Sequence, residues 1–211
     1  MIENPSYWLE NWPQIFAIEA RTGGVLYSHL ETLDKTLSRA PQYHPIFGDL
    51  LKLNDRVVMW ALAKNQNTPV PILEKIAHQN RTDYFWALAK NLSTPAPILG
   101  KIVEHCLKTP ETFHVMKEVT GNFRTPESSL ELVGMGEWYN QQSEEIQKEV
   151  ALALIGNSNT PQNVIEAFVG HKHYQVRQDI VCKRSVSDVA KTMLRMDADP
   201  RVQAAALEKF E

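Results

Sequence analysis

The chain has 211 residues, 43% hydrophobic and 22% charged, with a formal net charge of −3 at pH 7. That is the composition of an ordinary globular protein able to bury a substantial core, and it excludes a global electrostatic case for nucleic acid or an anionic membrane. Cys106 and Cys182 are the only cysteines and form no CxxC, which excludes a disulfide framework and a four-cysteine metal or iron–sulfur site within one chain.

The opening Met1-Ile2-Glu3-Asn4-Pro5 lacks a basic stretch followed by an apolar one, so no secretory signal is expected. No run approaches the roughly 20 apolar residues that span a bilayer, and a cytoplasmic protein without a membrane anchor is the expectation. Trp8, Leu9, Trp12, Ile15, Phe16 and Ile18 predict one helix from near Pro5 to Gly23-Gly24. Leu26, Leu30, Leu33 and Leu37 predict a second, ended by Pro41. Residues 1–50 then read as an N-terminal helical cap, because the exposed end of a repeat array needs a cover.

From residue 51 the chain repeats itself. Asn-x-x-Thr-Pro occurs four times: Asn65 to Pro69, Asn91 to Pro95, Asn122 to Pro126 and Asn157 to Pro161. Trp60–Ile76 and Trp86–Ile102 share 13 of 17 residues at an offset of 26. Self-similarity at fixed spacing marks a stacked repeat array. Before each motif, apolar residues at i, i+4 and i+5 share one helix face: Val58, Leu62 and Ala63; Tyr84, Leu88 and Ala89; Val115, Val119 and Thr120; Val150, Leu154 and Ile155. Val176, Ile180 and Val181, then Val202, Ala206 and Leu207, continue the columns more weakly.

The motif reads as punctuation between helices. Asn suits a left-handed close to the first helix, Thr supplies an N-cap oxygen, and Pro takes the first position of the next helix. Apolar residues follow in the second element: Ile72, Leu73 and Ile76; Ile98, Leu99 and Ile102; Val164, Ile165 and Phe168; less regularly Ser129, Leu130 and Val133. Pro71 and Pro97 fit only a first turn, so this element is expected to be shorter than its partner, an α or 3-10 segment. The later intervals of 31 and 35 imply insertions, Gly134-Met135-Gly136-Glu137-Trp138-Tyr139-Asn140 being the most conspicuous. In the fifth repeat Lys183 replaces the Asn, and Ser185-Val186 stands about where Thr-Pro should be.

Val176-Arg177-Gln178-Asp179-Ile180-Val181 and Leu62-Ala63-Lys64-Asn65-Gln66-Asn67-Thr68-Pro69 resemble the opening and the centre of the leucine-rich repeat variant family. The resemblance covers about residues 55–211. It implies an all-α, right-handed solenoid of α/3-10 or α/α repeats, related to HEAT-like arrays, with about five to six repeats over residues 51–211. Some members of the family carry a cysteine-ligated iron–sulfur cluster, which two cysteines do not allow here.

Trp60 and Trp86 share a column, each four residues before a lysine, Lys64 and Lys90. Helical angles place the lysines away from the apolar face and the tryptophans at its edge, so the set reads either as core filling or as a cation–π strip for a peptide or a base. Lys117, Leu152, Gln178 and Ala204 show that later repeats do not keep the pair. His171-Lys172-His173 and His105-Cys106 lack a further ligand pair at metal-like spacing, so neither a metal nor a cofactor is expected. Cys182, beside a buried column, reads as a packed or idle thiol. Neither a phosphate-cradling glycine loop nor a G-x-S-x-G elbow occurs.

The leading expectation is a non-catalytic module that binds a protein or peptide through Trp60, Lys64, Trp86 and Lys90, with Trp138 and Tyr139 as further contacts. An alternative is nucleic-acid binding, of HEAT-like DNA-binding or glycosylase type, through Lys172, Arg177, Lys183, Arg184, Lys191 and Arg195. A third possibility is a homodimer through the C-terminal repeat, which stops part-way.

Overall fold

In the computed structural model, residues 4–22 and 25–210 are described, and they form helices and turns with no strand among them. The proposed stop at Gly23-Gly24 lies outside the described residues. The chain divides into two compact units, Met1–Ile98 and Leu99–Glu211. The boundary expected at residue 50 instead falls inside one helix, Ile46–Leu53.

The first unit opens with α1 (Pro5–Glu10), α2 (Trp12–Thr22), α3 (Val25–Ser28), α4 (Leu30–Arg39) and α5 (Ile46–Leu53). The single helix expected from Pro5 is broken at Asn11, and the cause is Pro13: its ring would clash with the Leu9 carbonyl and it has no N–H to donate there. That carbonyl instead accepts from His44 Nε2 at 3.3 Å. The helix expected across Leu26 to Leu37 is likewise two pieces, α3 and α4, parted at His29. Trp8, Trp12, Leu26, Leu33, Leu37, Ile46, Phe47 and Leu50 are buried together, and the Trp12 indole N–H donates to Asp49 at 3.1 Å.

The repeats begin with α6 (Arg56–Lys64), α7 (Val70–Ala77), α8 (Thr82–Lys90) and α9 (Ala96–Lys108), the division between the units falling within α9. Asp55 caps α6 by accepting from the Val57 and Val58 N–H groups. In the second unit follow α10 (Phe113–Gly121), α11 (Glu127–Met135), α12 (Glu137–Asn140), α13 (Glu144–Gly156), α14 (Gln162–Ala167), α15 (Tyr174–Lys183), α16 (Asp188–Arg195) and α17 (Pro200–Lys209). Two 3-10 turns, Pro110–Thr112 and Phe168–Gly170, flank them. Helix packs on successive helix: α6 on α8 in the first unit; α10 on α13, α13 on α15 and α15 on α17 in the second. The column residues are buried throughout, each Val, Leu or Ile side chain contributing about 1.5–3 kcal/mol, except Leu207, which is half exposed. The second elements are not uniformly shorter: α9 has 13 residues and α8 has 9.

The motif performs a different task from the one its residue types predict. Asn65, Asn91, Asn122 and Asn157 are extended, with φ between −75° and −85°, not left-handed. Each Oδ1 accepts the N–H two residues on, forming a local turn. Among the described non-glycine residues, the positive φ values belong to Asn54 and Asn80. The threonines cap backwards: the hydroxyls of Thr68, Thr94, Thr125 and Thr160 donate to the carbonyls of Leu62, Leu88, Val119 and Leu154. A hydroxyl buried at a helix C-terminus meets only carbonyls, so it serves as a donor.

The asparagine amides tie one repeat to the next. Asn91 Nδ2 donates to the carbonyls of Ala63 and Asn65, at 2.9 and 2.8 Å. Asn157 Nδ2 does the same to Thr120 and Asn122, at 2.7 and 2.8 Å. In the fifth repeat this role passes to Arg184, not Lys183: its guanidinium donates to the carbonyls of Asn157 and Thr160, at 2.9 and 2.8 Å. Helix α15 runs to Lys183 with Arg184 as its C-cap, so the ladder position shifts by one residue. The hydroxyl that caps α16 belongs to Ser187, beyond Ser185-Val186.

Candidate functional site

The repeat brings Trp60 of α6 and Trp86 of α8 side by side on the first unit. Their rings are 6.1 Å apart and nearly parallel, at 11°. Both indoles are partly exposed, while the next column inward is closed. Lys64 Nζ lies 5.3 Å from the Trp60 ring and Lys90 Nζ 4.6 Å from that of Trp86, both within cation–π range. At the far end of the same helix pair, Arg56 of α6 bridges to Asp83 of α8 at 2.8 Å, fixing their register. Burial alone would raise the Asp83 carboxyl, but hydrogen bonds from Arg81 and Arg56 hold it below the ordinary range.

Lys64 also borders a polar cleft of about 300 Å³ with Asp34, Ser38, Asn65, Gln66 and Asn67. Asn65 Nδ2 donates to Ser38 Oγ at 3.0 Å, which holds the cleft floor. Asp34 and Ser38 lie outside the repeat, and no sequence pattern marks them as neighbours of Lys64. The aromatic pair and the cleft thus form one surface, polar at one end and aromatic at the other.

Trp138 and Tyr139, expected as contacts, sit on α12 in the second unit and are 7% and 6% exposed. The short α12 turns both rings inward, so they pack the interior and present little to a partner. The Trp138 indole N–H is buried with no hydrogen-bond partner among the described residues. Tyr139 borders a hollow of about 420 Å³ together with Phe168 and His171. His171 Nδ1 accepts from the His173 N–H, so the ring proton sits on Nε2 and is donated to Tyr139 Oη, which in turn donates to the Gln147 carbonyl. Burial, then the neighbouring His173 and Lys172, lowers His171 to about 4, while burial pushes the Tyr139 phenol well above its ordinary value. The chain of donors therefore stays neutral near pH 7. Both nitrogens of His171 are engaged within the protein. Among the described residues no group of three His, Cys, Asp or Glu side chains could hold a metal ion.

The basic tract separates into two sets. Arg177 grips Asp197 through two hydrogen bonds, at 2.6 and 2.8 Å, and also donates to the His171 carbonyl. Lys172 pairs with Glu144 at 2.9 Å. Arg184 is committed to the ladder carbonyls. Lys183 and Lys191 pair with Asp179 and Asp188 on their own helices. Cys182 is exposed, not packed, whereas Cys106 is buried and its thiol is pushed up to about 11 by burial. No protein-family model, curated protein or solved structure matches the chain. No helix among the described residues is long and apolar enough to cross a membrane.

Proposed function

We propose that the chain is a non-catalytic binding module, built within each unit from stacked helical repeats of the leucine-rich repeat variant, HEAT-like kind. It recognises a protein or peptide segment through the surface of Trp60, Trp86, Lys64 and Lys90. The stacked, partly exposed indole pair carries this reading. Tryptophan left partly wet is an expensive surface group and dominates binding energy where a partner covers it. Two ammonium groups over the rings favour a segment that offers an apolar side chain to the indoles and a carboxylate to the lysines. The repeated amide ladder supports the solenoid assignment, since the same side chain meets the same pair of carbonyls in both units. The neutral, mutually engaged His171 and Tyr139 support a role without acid–base chemistry.

Selection of a displayed random-peptide library on the immobilised chain tests this. Enriched peptides rich in acidic and aromatic residues are expected, with affinity falling about tenfold or more in the K64A/K90A variant. Peptides that bind this variant and wild type alike would end the proposal. The nucleic-acid alternative is less favoured, because Arg177 is spent on the Asp197 carboxylate. A homodimer through the C-terminal repeat keeps one supporting observation, the exposed Leu207, and a monomer by light scattering at high concentration would dismiss it.

A further inference from the structure

We infer a second, independent site in the second unit: a cleft at the shared ends of α15 and α17 that takes a small phosphate-bearing anion. The cleft measures about 510 Å³ and is lined by Lys183 and Arg184, by Lys191 of α16, and by Lys209 and Phe210 where α17 ends. Ser185 and Val186 form its remaining wall, and no carboxylate lines it among the described residues. Four cations from three helices converge on one concavity that is large enough for a drug-sized ligand.

Two of the four cations, Arg184 and Lys209, have only carbonyl partners. Lys209 donates to the Cys182 carbonyl at 2.6 Å, and Arg184 donates to the carbonyls of Asn157 and Thr160. A carbonyl orients a cation without neutralising it. The ion pairs of Lys183 with Asp179 and Lys191 with Asp188 join residues four and three apart on exposed helix surface, and the Asp188 side chain is 95% exposed. Such pairs compete weakly with a bound anion. Burial lowers the Arg184 guanidinium below its usual value, so positive charge is held where water screens it poorly.

The kind of anion follows from the donors. Arg184 already holds the carbonyls of Asn157 and Thr160 through its two terminal nitrogens, so it adds fixed charge more than a free two-pronged grip on a planar carboxylate. What remains is three lysine point charges spread over the cleft, suited to several phosphate oxygens of a pyrophosphate or nucleoside polyphosphate. Phe210 offers an apolar surface beside them. The basic tract in the sequence includes Lys183, Arg184 and Lys191 alongside Lys172, Arg177 and Arg195, and it does not reach Lys209.

Calorimetric titration of the full chain with pyrophosphate and with ATP, at low and at moderate salt, tests the site. Saturable binding of either, reduced about tenfold or more in K191Q/K209Q but unchanged in K172Q, is the expected result. Tighter binding of ATP than of pyrophosphate assigns Phe210 to the ligand's base, whereas equal binding leaves the phosphates as the whole determinant; both agree with the site. Should K191Q/K209Q melt early, K183Q provides the same test, because the exposed Lys183 pairs only with Asp179 on its own helix. No saturable heat at low salt, or equal loss in K172Q, overturns the inference. Binding of a single-stranded 20-mer without binding of pyrophosphate or ATP does so as well. None of these outcomes bears on the Trp60–Trp86 surface, which belongs to the other unit.

Discussion

Asn157 donates its side-chain amide to the carbonyl of Asn122, 35 residues earlier, at 2.8 Å. Asn91 does the same to Asn65 across 26 residues. The interval differs by nine residues and the bond does not, because the insertion before α13 is accommodated as α12 and its flanking turns. Each amide is buried and serves two carbonyls, while its oxygen holds the turn that leads to Thr-Pro.

Truncation of Asn157 to alanine strands two buried carbonyls and one turn N–H. The expected cost is about 2–4 kcal/mol, read as a lower urea midpoint with an unchanged slope. A loss below about 0.5 kcal/mol, the scale of an ordinary surface substitution, would show that water replaces the amide and that the ladder holds nothing together.

Gly134 lies within α11 where that helix meets α14, and a methyl group there would overlap Val164 Cγ1. Gly134→Ala is therefore expected to destabilise by about 1–3 kcal/mol. At Gly156, on the exposed end of α13, a Cβ meets nothing within 4 Å, and alanine there is expected to stabilise by about 0.4–1 kcal/mol. Thermal melts of the two variants that shift in the same direction would contradict the close approach of α11 to α14.

Of the five tryptophans, Trp8, Trp12 and Trp138 are buried, and only the Trp60–Trp86 pair is partly open to solvent. Acrylamide quenching of indole fluorescence should therefore report that pair. The W60F/W86F variant is expected to lose most of the quenchable emission while keeping the blue-shifted remainder. A variant that stays as quenchable as wild type would mean that the indoles are closed off and unavailable to a partner.

His171 titrates near 4 in the folded chain against about 6.5 unfolded. Between these values the unfolded chain binds the extra proton, so stability rises with pH. The contribution is complete above pH ~6.5 and is lost progressively as pH falls toward 4. Urea midpoints of wild type and His171→Gln, measured from pH 7.5 down to 4.5, should converge toward the acid end. Parallel curves would show that His171 takes up its proton over the same pH range folded and unfolded, against the lowering that burial imposes.

Much of the helical organisation was legible from one dimension. Val58, Leu62 and Ala63, with their counterparts in later repeats, are buried because helical spacing places them on one face, and that is a local property. The tryptophan column was equally legible, since a period of 26 must bring Trp60 and Trp86 to equivalent positions. The sign of each polar contact was not. Thr68 was read as an acceptor for the next helix and is a donor to the previous one, because a hydroxyl can play either part and only its surroundings decide. Trp138 and Tyr139 were read as surface residues since an insertion carries no periodicity, and whether it loops out or folds in depends on the space beside it.

The sequence by itself determined an all-helical chain with repeated, capped elements and the columns that fill its core, since backbone geometry and side-chain spacing act within a few residues. Only the tertiary structure decided which cations are spent and which converge. Arg177 meets Asp197, Arg184 closes the ladder, and Lys209 joins Lys183 and Lys191 around one cleft. Charge interacts through space, between atoms whose separation along the chain says nothing about their distance.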